Sequence, residues 1–342
     1  MTVGLNRTML PRSSDACQTS AWERELAQAF KRPEELLAAL GLRASQISDL
    51  DTDAPDFRML VPRGFAAAMT PGDPHDPLLR QVLPLRAEQQ RRPDFLLDPV
   101  GDAEAEREPG LLQKYAGRVL LMATPACAVH CRYCFRRHYP YETLGPARDR
   151  HETALARIAD DREIREVVLS GGDPLMLDDK QLGELIECLG AITHLKRLRL
   201  HSRLPVVLPA RVTEPLCDLI AGSRLPVLTV IHANHPRELD ARVATALRRL
   251  ARAGTHLLNQ SVLLRGVNDD LDTLEALSER LLDCEVMPYY LHQLDPVQGA
   301  AHFAVADRDA RTLVTGLRER LPGYLVPRLV REIPGARAKS PL

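Results

Sequence analysis

From about residue 111 onward, short apolar, β-branched runs alternate with longer stretches in which apolar residues recur at helical spacing. The short runs predict strands at Arg118–Thr124, Glu166–Ser170, Arg197–Ser202, Val227–His232, His256–Leu264 and Val286–Leu291, with a last one near Tyr324–Leu329. Between them, Asp178–Leu189, Glu214–Ala221, Glu238–Ala251, Asp272–Leu282 and Asp307–Arg320 carry the helical pattern. A βα repeat of about 30 residues implies a parallel sheet with right-handed crossovers. About six such units are too few for a closed eightfold barrel, so the expected fold is α/β, a partial, open (βα)6-type barrel with its chemistry at the C-terminal ends of the strands. Residues 1–110 follow a different pattern, with a helix expected over Trp22–Leu40 and Pro- and Asp-rich segments around Pro71–Pro77 and Arg91–Pro109. The expected division is therefore a mainly helical region at 1–110, a barrel core at 111–330 and a C-terminal segment at 331–342.

Charge narrows the partners. Lys and Arg number 45 against 46 Asp and Glu, a net charge of -1, so nothing exerts the long-range pull on phosphate backbones or anionic lipid that a basic protein has. Nucleic acid and membrane are not expected partners. The stretch Met1–Gln18 is polar, with Arg7, Arg12 and Asp15, and no run of about 18 uncharged apolar residues occurs, so a cytoplasmic, soluble protein is expected.

The seven cysteines, at 17, 127, 131, 134, 188, 217 and 284, are an odd set with no disulfide pattern, and three of them crowd into Cys127-Ala-Val-His-Cys131-Arg-Tyr-Cys134 just after the first predicted strand. Thiolates are the ligands of choice for iron–sulfur clusters and structural zinc. Three thiolates on a cluster leave one iron open to bind a substrate or cofactor; the other reading of the same residues is a zinc site completed by His130 or His138. After the second predicted strand stands Ser170-Gly171-Gly172-Asp173-Pro174, which taken alone is a turn whose glycines let backbone approach a ligand closely.

The C-x3-C-x2-C array in this position resembles the signature of the radical S-adenosylmethionine (SAM) superfamily, which implies a [4Fe-4S] cluster on Cys127, Cys131 and Cys134 whose open iron chelates SAM. Ser170, Gly171, Gly172 and Asp173 are similar to that superfamily's glycine-rich segment, which meets the methionine end of SAM. Cys134-Phe-Arg-Arg-His, His201-Ser-Arg-Leu-Pro, Asn259 to Asp269 including Gln260, Pro288-Tyr-Tyr-Leu, Gly299 to Phe303 and Pro334 to Pro341 together resemble the lysine 2,3-aminomutases. Asp76 to Val82, Phe135-Arg-Arg-His138 and Met287 to His292 look most like the branch that makes (R)-β-lysine for elongation factor P.

That resemblance implies an isomerase converting (S)-α-lysine to (R)-β-lysine, with pyridoxal 5′-phosphate (PLP) as a third cofactor. Moving an amino group between adjacent carbons breaks an unactivated C–H bond, which a 5′-deoxyadenosyl radical can do, and PLP holds the migrating nitrogen. By the family pattern Lys339 carries PLP, Arg118 lies near its phosphate and Gln260 lies near SAM. Arg136 takes the lysine carboxylate, while Asp295 and Glu332, the latter replacing the family's usual aspartate, take the side-chain ammonium. The implied partners are lysine and, functionally, a lysyl-tRNA-synthetase-like ligase that joins β-lysine to elongation factor P. A catabolic lysine or glutamate 2,3-aminomutase is the alternative, with glutamate disfavoured because it needs a cation where Asp295 stands. Catabolic members carry a zinc ligand just after Val-Asn-Asp and more zinc cysteines beyond the PLP lysine; here Asp270 follows Asp269 and the sequence ends at Leu342, so no structural zinc is expected and any homo-oligomer is held by other means.

Overall fold

The protein is described by a computed structural model covering residues 20–53 and 57–342; the expectations for the N-terminal stretch and for Cys17 lie outside the described residues. One ten-stranded sheet runs in chain order, β1 (Glu106–Glu108), β2 (Leu111–Tyr115), β3 (Arg118–Thr124), β4 (Glu166–Gly171), β5 (Arg197–Ser202), β6 (Val227–Ile231), β7 (His256–Val262), β8 (Met287–His292), β9 (Arg328–Arg331) and β10 (Ser340–Pro341). Neighbours from β3 to β9 are parallel, whereas β1, β2 and β3 form an antiparallel edge and β10 lies antiparallel on β9. No pairing joins β1 to β10, so the barrel is open.

Alternation along each strand sorts the side chains into two faces. Val119, Leu121, Val167, Leu169, Leu198, Leu200 and Val227 are buried in the main core beneath the helices. In register, Leu121 stands beside Leu169 and Leu169 beside Leu200, so this apolar layer crosses the sheet without interruption. The opposite positions, among them Ser170, Arg199, His201, His232, Gln260, Tyr290 and His292, line the inside of the curve and leave it polar. The helices Ala147–Asp160, Asp179–Ala191, Glu214–Ala221, Ala241–Arg252, Leu271–Asp283 and Asp307–Arg320 make the outer layer. Helix Ala241–Arg252 is typical: the Asp240 carboxylate accepts the free N–H groups of Arg242 and Val243, and Val243, Leu247 and Leu250 bury one stripe. Truncating Leu247 to alanine there costs about 2–5 kcal/mol.

Three expectations need correction. Trp22–Leu40 forms two helices, Ala21–Ala27 and Pro33–Ala39, because Arg32, ahead of a proline, is extended and Pro33 starts a new helix at its first turn. The rest of the described chain before β1 holds only four-residue helices, at Arg63–Ala66, Pro77–Arg80 and Asp102–Ala105, and short 3-10 turns joined by irregular backbone. The last parallel strand lies at Arg328–Arg331, later than expected, since Gly323–Leu325 closes into a 3-10 turn. Strands β1, β2 and β10 were not legible as periodic runs; β2 exists because Gly117, at φ 72°, makes the tight reversal that folds it onto β3.

Candidate active site

The cysteine loop follows β3 at the C-terminal end of the parallel strands. It is tied to the segment that precedes the sheet: the amides of His130 and Arg132 donate to the carbonyls of Leu60 (3.0 Å) and Gln81 (2.9 Å). Glu88 accepts from Arg132 Nε at 2.8 Å and from Arg137 Nη2 at 2.7 Å. Cys127, Cys131 and Cys134 are each partly exposed. Burial pushes the Cys127 thiol well above its ordinary range, and the neighbouring charges of Cys134, Asp173 and Cys131 push it further. The Cys134 thiol rises to about 11 from burial and then from Cys131. Cys127 and Cys134, raised by burial and by neighbouring negative charge, need a multiply charged cation to stay ionised beside Cys131, and this fits a cluster held by three cysteines. Each histidine of the zinc reading spends one ring nitrogen on a backbone carbonyl, His130 Nδ1 on Arg58 at 2.8 Å and His138 Nε2 on Gln298 at 3.0 Å. Cys188, Cys217 and Cys284 belong to the outer helices Asp179–Ala191, Glu214–Ala221 and the end of Leu271–Asp283.

Gly171 and Gly172 lie against the start of this loop. Gly171 has φ 111°, Gly172 N–H donates to the Thr124 carbonyl at 2.7 Å and Asp173 N–H to the Ala126 carbonyl at 2.8 Å. A Cβ on Gly172 would overlap the Ala126 carbonyl, so only glycine permits the approach. Ser170 Oγ is 3.4 Å from Arg136 Nη1. The Asp173 carboxylate, placed by the sequence near SAM, is taken by the framework: it accepts from Ser202 Oγ (2.7 Å), Arg203 N (2.7 Å), Leu204 N (3.1 Å) and Leu175 N (3.1 Å). Gln260 Nε2 lies inside the curve, 3.5 Å from His201 Nδ1.

On the far side of the mouth, β10 returns the tail onto β9, with Ser340 opposite Arg331. This sets Lys339 Nζ 2.7 Å from Glu332 Oε2 and 5.9 Å from the Tyr290 ring centre. Glu332 Oε1 accepts from Tyr115 Oη at 2.6 Å and lies 4.0 Å from Lys114 Nζ. Lys114 in turn pairs with Asp102 Oδ1 at 2.6 Å, and Asp102 Oδ2 accepts from Arg136 Nε at 2.6 Å. A continuous chain of charges thus joins the tail lysine to the cysteine loop. Burial would raise Asp102, but Arg136 and Lys114 outweigh it and hold the carboxyl below its usual range. Glu332 follows the same logic, burial being outweighed by Lys339, Tyr115 and Lys114. Asp295 does not: burial dominates, Lys339 only partly offsets it, and the carboxyl rises to about 7, with its Oδ1 buried and lacking a hydrogen bond. Burial together with the Lys339 charge likewise keeps His201 and His292 neutral.

Arg118, at the exposed start of β3, lies 5.2 Å over the Tyr115 ring, and its charge reaches Arg199 and Tyr289. The Tyr289 and Tyr290 rings lie tilted against each other with centres 3.8 Å apart, and Arg199 is paired with Glu166. A lysine amine beside aromatic rings, with guanidinium groups near, fits a phosphate-bearing aromatic aldehyde. Of the residues expected from sequence, the structure gathers Arg136, Asp295, Glu332 and Lys339 at the mouth and the three cysteines with Ser170, Gly171 and Gly172 beside it. Sequence reasoning missed Asp102, Lys114 and Tyr115, which sit in segments with no motif; only their pairing across the open edge marks them.

An open parallel barrel whose first parallel strand delivers a three-cysteine loop defines a radical SAM enzyme, and the model of the Radical SAM superfamily matches residues 121–277. The curated L-lysine 2,3-aminomutase of Escherichia coli is 49% identical to this chain, covering 94% of it and 94% of the relative. That of Haemophilus influenzae is 43% identical over 97% of this chain and 98% of its own length, and that of Clostridium subterminale 34% identical over 94% of this chain and 77% of its own. The chain belongs to the lysine 2,3-aminomutase family. It is accordingly an isomerase of the radical SAM class, a class that carries a [4Fe-4S] cluster and SAM. Among the described residues no helix is long and apolar enough to cross a membrane.

Proposed function

We propose that this chain converts (S)-α-lysine to (R)-β-lysine with PLP held by Lys339, and that the product is used to β-lysylate elongation factor P. The observation that carries the reading is that a primary ammonium, that of Lys339, already stands against Glu332 in a mouth whose other pole is Arg136. Lysine has the matching ends.

When bound, the cluster and SAM supply a carbon radical able to break an unactivated C–H bond, and PLP holds the nitrogen that moves. The chain's own residues do the rest. Cys127, Cys131 and Cys134 would hold the cluster and leave it a position open to SAM; Ser170, Gly171, Gly172 and Gln260 would line the floor beside it, and the Asp173 carboxylate ties that segment to Ser202, Arg203 and Leu204. Arg136, with its Nε fixed on Asp102, turns its remaining N–H groups to the substrate carboxylate. Glu332 and Asp295 would take the side-chain ammonium, and Arg118, with Arg199 near it, would face the phosphate of PLP. The tail pairing of β10 on β9 delivers Lys339.

Anaerobic incubation of reconstituted enzyme with isotopically labelled lysine tests the chemistry: β-lysine as product supports it, and unchanged lysine with SAM, reductant and PLP present refutes it. The likeness of Asp76 to Val82, Phe135 to His138 and Met287 to His292 to the elongation factor branch is what supports that part of the reading. Deleting the gene and weighing intact elongation factor P decides that part. Loss of a lysyl-sized increment, restored by added β-lysine, supports the assignment; an unchanged mass with lost growth on lysine moves it to catabolism.

A further inference from the structure

Beside Cys131 lies a buried cation that the reaction as proposed does not use. Arg203 follows β5 and is 7% exposed. Its Nη1 donates to Cys131 Sγ at 2.7 Å, while Nη2 donates to Gln81 Oε1 at 2.6 Å and to Glu238 Oε2 at 3.1 Å. The guanidinium carbon lies 5.3 Å from the Phe65 ring centre and 5.6 Å from that of Tyr133. Its backbone N–H is bonded to Asp173, so the root of the side chain is fixed as well as its tip. Gln81 cannot turn aside, since its Oε1 also accepts from Asn234 Nδ2 at 3.0 Å and its Nε2 donates to Glu238 Oε1 at 2.9 Å. Burying a guanidinium is costly unless its charge is compensated, and here Nη2 is spent on Glu238 and Gln81 and Nη1 on a sulfur, while Nε has no hydrogen bond.

We propose that Arg203 is a positioning residue for the cluster: it orients the Cys131 thiolate and, through its N–H to sulfur bond and its charge, sets the cluster's reduction potential. A donor to a ligating sulfur withdraws electron density from it, and a nearby buried cation favours the more negative, reduced cluster. Electron entry is thereby eased, at the corner held by Cys131. This rests on reading Cys131 as a cluster ligand, which is tested separately: full iron in Cys131→Ala defeats that reading, whereas the outcomes below bear on Arg203.

The test is an EPR-monitored redox titration, without SAM, of reconstituted wild-type protein, Arg203→Lys and Arg203→Gln, each with iron and sulfide counted per chain. Removing the guanidinium in Arg203→Gln is expected to make the midpoint more negative by a tenfold change in the one-electron equilibrium, about 59 mV. Arg203→Lys, which keeps the charge and loses the fork, should shift less. Equal midpoints in all three at full iron content overturn the proposal. Pulsed EPR of the reduced cluster in wild-type protein carrying 15N at the arginine guanidinium positions needs no stable glutamine variant. A 15N coupling that disappears in Arg203→Lys supports the bond, and its absence from the wild type, or its persistence in Arg203→Lys, rules it out.

Discussion

The two sides of the barrel mouth are built by different means. On the cluster side, residues 124–126 and 171–173 meet backbone to backbone, and the arginines around them, Arg132, Arg137 and Arg203, are spent on Glu88, Glu238, carbonyls and a thiol. On the tail side, Arg136, Asp102, Lys114 and the pair Glu332 and Lys339 hold one another through side-chain charges, from four separate segments. Backbone contact with no room for a Cβ is rigid and tolerates no substitution. A chain of charges reorganises when a new ion enters it, as a zwitterionic substrate requires. One side is made to hold, the other to exchange partners.

The largest effects should come where each side has no substitute. Lys339→Ala is expected to abolish mutase activity and PLP retention while leaving iron and sulfide unchanged; borohydride reduction and peptide mapping of the wild type should label Lys339, and a label elsewhere breaks the assignment of the tail side. Gly172→Ala should act in the opposite way, lowering stability by about 3 kcal/mol and costing more than half the iron, because Ala126 backbone must move. A variant that melts and binds iron like the wild type would show that the close approach is not what fixes the cluster side.

Asp102→Asn comes next. It leaves Arg136 and Lys114 without their shared carboxylate, and an effect of about 2 kcal/mol, some 30-fold in kcat/KM, is expected at unchanged iron content. An equal loss of iron would mean that the two sides are not separable at Arg136.

A subtler effect lies in pH. Burial lifts Asp295 to about 7, above its unfolded value of 3.8, so the folded chain holds this proton more tightly than the unfolded chain does; the stability this group contributes is greatest below 3.8 and is lost as pH rises through 7. An arriving ammonium favours the ionised form, so lysine binding should release a proton below about pH 7 and tighten as pH rises toward it. Calorimetry in buffers of different ionisation enthalpy reads the proton, and Asp295→Asn should remove both it and the slope. The smallest change expected is Glu332→Asp, which shortens the reach to Lys339 by one methylene: a rise in KM for lysine of about threefold or less with kcat kept, since a charge-assisted bond is lengthened and not lost. A 30-fold loss would mean that the glutamate is required here.

How much of this was legible follows from the range of the interactions. The strands from β3 to β8 were readable because burial on the outer face imposes apolar alternation on the residues themselves, and Cys127, Cys131, Cys134 and the Gly171-Gly172 pair were readable because their chemistry depends on spacing within one loop. Lys339, Asp295 and Glu332 were placed by resemblance, for a lysine near a C-terminus carries no local sign of its task. Asp102, Lys114 and Tyr115 were invisible, as was the seating of Arg203 on Cys131. The sequence by itself determined the repeat, the thiol array and the glycines, all set by local sterics and periodicity. Only the tertiary structure decided which distant charges meet, because electrostatic partnership across the open edge depends on how the sheet curves and where β10 returns, and no one-dimensional pattern records either.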